Sequence, residues 1–177
     1  MTLKLTQLKR SGAGDSPTAF YQDGELGLFA SYKRHLQIAE LLGGIDHQLY
    51  RDSWLSLLAS IECFLKDVYC IARYQVWKDK SPSTLPHREF YERKRISEVV
   101  VAKSFAHNLK ELAKYLQALC PDLDSDNPYQ NFVLNLPDND WTSDRYSNPV
   151  DRTFKVRYET LFRSFKSLLD HSFGEWK

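Results

Sequence analysis

Five histidines and a handful of arginines are the residues of this 177-residue chain best suited to chemistry: His35, His47, His87, His107 and His171, with Arg145, Arg152, Arg157 and Arg163. One histidine to move a proton and one arginine to hold phosphate charge are enough for metal-free RNA cleavage. Each of these arginines is equally an ordinary surface ion-pairing residue. Metal chemistry is not indicated. No two histidines stand at ligand spacing, and the three cysteines form no CxxC. Asp122, Asp124 and Asp126 are spaced like part of a calcium loop, but the central glycine and the closing glutamate are missing. The chain has no phosphate-cradling P-loop, no dinucleotide fingerprint, no HExxH and no GxSxG elbow. The pattern calls for no cofactor.

The composition sets the background for those residues. Aromatic residues are 14% and apolar residues 42%, which excludes a disordered chain. A chain of this length buries a full core without disulfides or metal. The net charge of +1 excludes a generally polycationic nucleic-acid protein. No apolar run approaches the roughly 18 residues of a membrane span. The first residues lack the apolar stretch and cleavage site of a secretory signal. An odd cysteine count fits the reduced cytosol.

The elements that must position these side chains read as helices. Residues 1–27 hold four of the seven glycines and little periodicity, and read as an irregular arm. The rest, 28–177, reads as one bundle. Phe29, Tyr32, Leu36, Ala39 and Leu42 give a helix over about 28–42, stopped by Gly43-Gly44. Leu57, Leu58, Ile61, Leu65, Val68, Ala72 and Val76 give a long one over about 46–79, broken by the Pro-containing step after Lys80. A third spans about 97–119, with Ser97 as N-cap and Pro121 as stop, and Val101, Phe105, Leu109, Leu112, Leu116 and Leu119 on one face. A fourth spans about 149–173, capped by Asn148 and ended by Gly174, with Phe154, Leu161, Phe165, Leu168 and Leu169 in its stripe. Phe132-Val133-Leu134 is the best strand-like run, inside a long loop. The expected fold is all-α: helices packed as a bundle, with a long acidic loop before the last one.

Helix wheels, at about 100° per residue, sort the surfaces. Lys103, His107, Lys110 and Lys114 form a basic stripe on the third helix. That stripe is either a phosphate-contacting ridge or a plain solvated face. Cys63, Cys70, Tyr74 and Trp77 make a second band on the long helix, which is then buried on two sides, as the central helix or against another subunit. Residues 121–151 carry seven aspartates and one basic residue, Arg145, so that segment is about −6 and the rest about +7. One reading folds the acidic loop over a basic face.

Three short segments carry a family resemblance. The run Phe105-Ala-His-Asn-Leu-Lys-Glu-Leu-Ala-Lys-Tyr-Leu116 resembles the "GHDLKKLL"-like helix of HEPN-domain proteins, and the Arg145-Tyr146-Ser147 step resembles their "RYP" step. Ser60-Ile-Glu-Cys-Phe-Leu-Lys66 is similar to their first long helix. Together these span roughly residues 46–173. The resemblance implies an up-and-down bundle of four to five helices, commonly dimeric. It also implies metal-independent RNase activity, or binding of RNA or nucleotides, or pairing with a partner protein, in defence, toxin–antitoxin or stress settings. The nuclease members carry an arginine and a histidine with four to six residues between them. Here Arg163 and His171 have seven residues between them and lie about 80° apart on the wheel.

The leading expectation is therefore a binder of RNA or a nucleotide, working as a dimer without catalysis. Its ligand would meet Arg145, Tyr146, His107 and Asn108, with phosphate contacts from Lys103, Lys110 and Arg152. The alternatives are an RNase using His171 with Arg163 or His107 with Arg145, and a scaffolding subunit that docks through Cys63, Cys70, Tyr74 and Trp77.

Overall fold

The computed structural model describes residues 3–7, 28–44, 49–80, 107–138, 141–146 and 153–177. These residues form five α-helices and no strand: α1 (Leu28–Gly43), α2 (Tyr50–Lys80), α3 (Leu109–Leu119), α4 (Asn127–Asn135) and α5 (Thr153–His171). Short 3-10 turns cover Leu5–Gln7, Pro121–Asp124, Trp141–Tyr146 and Gly174–Trp176. No helix among the described residues is long and apolar enough to cross a membrane.

The all-α bundle follows from the stripes. Tyr32, Leu36 and Ala39 of α1, Leu57 to Ala72 of α2, Leu109, Leu112 and Leu116 of α3, and Phe154 to Leu169 of α5 supply its buried faces. Helix α2 is central: α1, α3 and α5 pack on it, while α4 packs on α5. Of its second apolar band, Cys63 sits on the partly buried margin of the core. Cys70, Tyr74 and Trp77 lie on α2, but their side chains fall outside the described residues.

Phe64 is the aromatic hub. Its ring meets those of Phe165 at 5.2 Å, Phe173 at 5.4 Å and Trp176 at 6.3 Å edge-on, and Tyr32 at 5.7 Å. Burying each such ring stabilises the fold by about 1.5–3 kcal/mol. Several polar groups of this core bond across the chain. Ser60 Oγ donates to the Tyr32 carbonyl, and the Tyr32 hydroxyl donates to the Trp176 carbonyl at 2.6 Å. The fully buried Asp67 accepts from Trp176 Nε1 at 2.8 Å.

Four expectations need correction. The strand-like run Phe132-Val133-Leu134 is helical and belongs to α4. Asp126 caps that helix by accepting from the Tyr129 N–H at 2.7 Å, and Pro128 sits in its first turn, where a missing donor costs nothing. Tyr129, Phe132 and Leu136 then point inward. The long acidic loop is accordingly two 3-10 turns around a helix. The third helix does not run unbroken from Ser97: His107 and Asn108 are outside it, and Asn108 is its cap, with extended backbone and a side chain accepting from the Glu111 N–H at 3.1 Å. Ser97 itself lies outside the described residues. The last helix stops at His171, before Gly174, where the Ser172 and Phe173 N–H groups both turn back to the Leu168 carbonyl. Within the segment read as an irregular arm, Leu3 is buried and its N–H bonds the Leu119 carbonyl.

Trp176→Phe retains an aromatic ring beside Phe64 but removes the donor to Asp67. Urea unfolding should show a loss of about 2 kcal/mol, the range for a hydrogen bond to a buried charged group. A loss below about 0.5 kcal/mol, within ordinary surface-substitution scatter, would show that Asp67 does not depend on this indole.

Candidate functional site

The densest polar cluster is built around Glu62, in the middle of α2 among apolar neighbours. Its residue is 8% exposed. Lys66, one helical turn on, hydrogen-bonds Oε1. Oε2 accepts two further bonds, each of 2.9 Å, from His107 Nδ1 and from Trp141 Nε1. The His107 and Trp141 rings meet edge-on, 5.6 Å between centroids. Burial pushes the Glu62 carboxyl up, but the hydrogen bonds and positive charge of His107 and Lys66 outweigh it and hold the group below its ordinary value. The carboxylate therefore stays ionised, and Nδ1 of His107 carries the donated proton.

That pairing defines what His107 can do. With Nδ1 committed to a carboxylate, the Nε2 edge is oriented for proton exchange or for a ligand, and the side chain is 40% exposed. The position of the residue makes this possible. His107 precedes the Asn108 cap of α3, so it is held by the start of a helix without being part of it.

The 3-10 turn Trp141–Tyr146 is fastened to α2 at two points. Trp141 bonds Glu62. Three residues on, Asp144 Oδ2 accepts from Trp54 Nε1 at 2.7 Å and the Asp144 carbonyl accepts from Arg51 Nε at 3.3 Å. Arg145 and Tyr146 close this same turn, so their backbone runs beside the N-terminal half of α2. Their side chains fall outside the described residues, as do Lys103 and Arg152 altogether.

Other expected site residues do different things. His107 leaves the basic stripe, because it is not on the helix. Lys110 pairs with Asp138 at 2.5 Å, and its hydrogen bond and charge hold the exposed Asp138 carboxyl below the usual range. Lys114 pairs with Glu111 at 2.7 Å. Arg163 Nε donates to the Glu159 carbonyl, and His171 Nδ1 to the Ser167 carbonyl, each one turn back on α5. The two are eight residues apart on one helix, about 12 Å of rise, and do not meet. Asp126 is occupied as the α4 cap and as the acceptor of both Ser172 Oγ hydrogen bonds. Burial pushes the Cys63 and Cys120 thiols up to about 11, which removes their thiolate character at neutral pH.

Glu62, Trp141, Trp54 and Asp144 escaped the reading of the chain. The available signal for Glu62 was a carboxylate and a lysine four apart within an apolar helix face. Nothing local announces its partners 45 and 79 residues away.

The depressed Glu62 value has a defined pH consequence. A group whose folded value lies below its unfolded one contributes stability above the ordinary glutamate value, and that stability disappears as pH falls through the folded value. Unfolding free energy should therefore decline below about pH 4.3, the unperturbed glutamate range. Glu62→Gln should cost about 2 kcal/mol at neutral pH by losing charge-assisted bonds, and should flatten that acid limb. Urea titrations between pH 3 and 7 on both proteins measure this; parallel pH profiles would show that Glu62 does not carry the effect.

No family model, no curated protein and no solved structure matches this chain.

Proposed function

We propose that this chain is a HEPN-like helical bundle that binds RNA or a nucleotide without cleaving it, in a defence, toxin–antitoxin or stress setting, and that it does so as a dimer. One observation carries the reading. Two of the segments that resemble HEPN proteins meet at one side chain: Glu62 and Lys66 belong to one and His107 to the other. Arg145 and Tyr146, of the third, stand in the turn that Trp141 fastens to Glu62. Segments 45 and 79 residues apart along the chain thus share one polar centre. The imidazole of His107 and the ammonium of Lys66 lie at this centre, and this mixture of cation and ring suits phosphate and base contacts. Arg145, Tyr146 and His107 meet the ligand, and Lys103, Lys110 and Arg152 lend phosphate contacts. Asn108 acts indirectly, by starting α3 where His107 needs it.

A second reading, metal-independent RNA cleavage, is favoured by the same geometry to the extent that a carboxylate-oriented histidine is a general-base arrangement. It selects His107 with Arg145 over His171 with Arg163, whose side chains are each bonded to α5 carbonyls. The scaffolding reading keeps Cys63, Cys70, Tyr74 and Trp77 as its docking band.

End-labelled total RNA incubated with the protein without metal, then split between native and denaturing gels, separates these readings. The expected result is a shift that weakens with salt and leaves the RNA intact. Arg145→Ala should lower the slope of log affinity against log salt by about one, and His107→Ala should weaken binding about tenfold, the loss of one good ligand contact. His171→Ala should change nothing. Cleavage abolished by His107→Ala would replace this reading with the nuclease one. Intact, unshifted RNA at low salt would leave the scaffold.

A further inference from the structure

Two of the donors that converge on Glu62 keep a face for something else. Lys66 spends one N–H on Oε1, and His107 spends its Nδ1–H on Oε2 at 2.9 Å. An ammonium has three donors, so Lys66 has N–H groups to spare. An imidazole carries its two nitrogens on opposite sides of the ring. When the neutral ring gives Glu62 its proton through Nδ1, Nε2 is left with a lone pair and no hydrogen, an acceptor only. Nε2 makes no hydrogen bond among the described residues, and the side chain is 40% exposed.

The orientation of the ring is fixed from behind. Trp141 stands edge-on to it at 5.6 Å and donates to the same Oε2. Turning the imidazole over would set a C–H against that oxygen and break a hydrogen bond to a buried charge, a costly loss. The site thus presents an acceptor and an ammonium, both held by the two oxygens of one carboxylate. Its complement is a hydroxyl donor beside an anion. A ribonucleotide strand carries that pair at every residue, with the 2′-hydroxyl on the carbon next to the one that bears the 3′-phosphate. DNA keeps the phosphate and lacks the hydroxyl. A carboxylate or a bare phosphate would satisfy Lys66 but turn lone pairs toward Nε2.

We propose that His107 reads the ribose 2′-hydroxyl, which donates to Nε2 while Lys66 takes the adjoining phosphate, so that this site selects RNA over DNA. The hydroxyl keeps its proton, and no bond of the strand is made or broken. The inference rests on the RNA- or nucleotide-binding reading above and gives that reading a sugar preference.

The test titrates the full chain with three labelled pools of short random-sequence strands that differ only at the 2′ position: hydroxyl, hydrogen or fluorine. Measurement at about pH 8, above the ordinary histidine range, keeps the ring neutral. The hydroxyl pool should bind about tenfold tighter than the other two, the worth of one good ligand contact. Fluorine keeps an acceptor but brings no donor. Equal binding of the hydroxyl and fluoro pools therefore overturns the proposal in favour of a site that reads strand shape. His107→Asn sets an amide where Nδ1 stood, so the donor to Glu62 stays and the Nε2 acceptor goes. The preference should then vanish while the salt dependence of RNA binding stays unchanged. Lys66→Gln should weaken all three pools by a similar factor and leave the preference intact. A folded His107→Asn protein that still prefers the hydroxyl pool overturns the proposal, and a strand cut at the hydroxyl overturns it in favour of the nuclease reading. If His107→Asn fails to fold, nitrogen-15 imidazole spectra of the native chain decide. The free protein should carry the His107 proton on Nδ1, and its Nε2 signal should move with the hydroxyl pool alone; a proton on Nε2 overturns the proposal. Ribonucleoside 3′-monophosphates that compete better than their deoxy counterparts assign the site to the free nucleotide as well, and a preference confined to strands assigns it to RNA. Hydroxyl and deoxy pools bound equally sink the sugar preference and spare the general reading; no binding of any pool sinks both.

Discussion

Glu62 and Asp67 project from α2 into the protein, where an ionised carboxylate stripped of donors costs several kcal/mol. Neither can be satisfied from its own surroundings alone. Glu62 takes Lys66 from its own helix but needs His107 and Trp141 from far along the chain, and Asp67 takes its indole from Trp176. The need to partner these carboxylates fixes where His107, Trp141 and Trp176 come to rest on α2. Apolar burial brings the helices together without strong direction, whereas an indole N–H must meet an oxygen along a line. Trp54 repeats the device with the roles exchanged, since there the helix gives the indole and the turn gives the acid. Three tryptophans thus act as directional pins as well as filling.

Much of the scaffold was legible because period-3.6 stripes survive in the sequence wherever a helix has one wet and one dry side. Tyr32, Leu36 and Ala39, or Phe165, Leu168 and Leu169, are buried as their spacing requires. Helix α4 was not legible, because its start signals are the same residues that mark turns: Asp126 and Pro128 initiate a helix here only because Tyr129 and Phe132 find a core to enter. The candidate site divides in the same way. His107 stands out by residue type. Its partner Glu62 does not, since its environment is made by segments 45 and 79 residues away. The lysine stripe looked uniform on a wheel, yet Lys110 is spoken for by an aspartate in the segment after α4. Charge segregation along the chain was visible; which opposite charges touch was decided by the fold.

Trp141 couples the polar cluster to a cleft of about 430 Å³ that it lines together with Leu134, Asp144 and Val156. One ring system cannot shift toward a ligand without stretching its bond to Glu62, and through Glu62 the orientation of His107. Tight packing transmits such small displacements. The cluster and the cleft are best regarded as two ends of one rigid unit, held to α2 by Trp141 on one side and by Asp144 on the other.

The bond from the Tyr32 hydroxyl to the Trp176 carbonyl joins residues 144 positions apart, and Tyr158 reaches the Ala39 carbonyl across 119. The first ties α1 to the turn that follows α5, and the second ties α1 to α5 itself. For a helical protein these are distant pairings, and loop-closure entropy must be overcome before either forms. Within the α1–α2 hairpin only Tyr32 meets Phe64; Phe165, Phe173 and Trp176 complete its cover, and Trp176 alone brings the indole to Asp67. The face of the hairpin is thus sealed by the far end of the described chain, so a cut anywhere between α2 and α5 leaves it open to solvent.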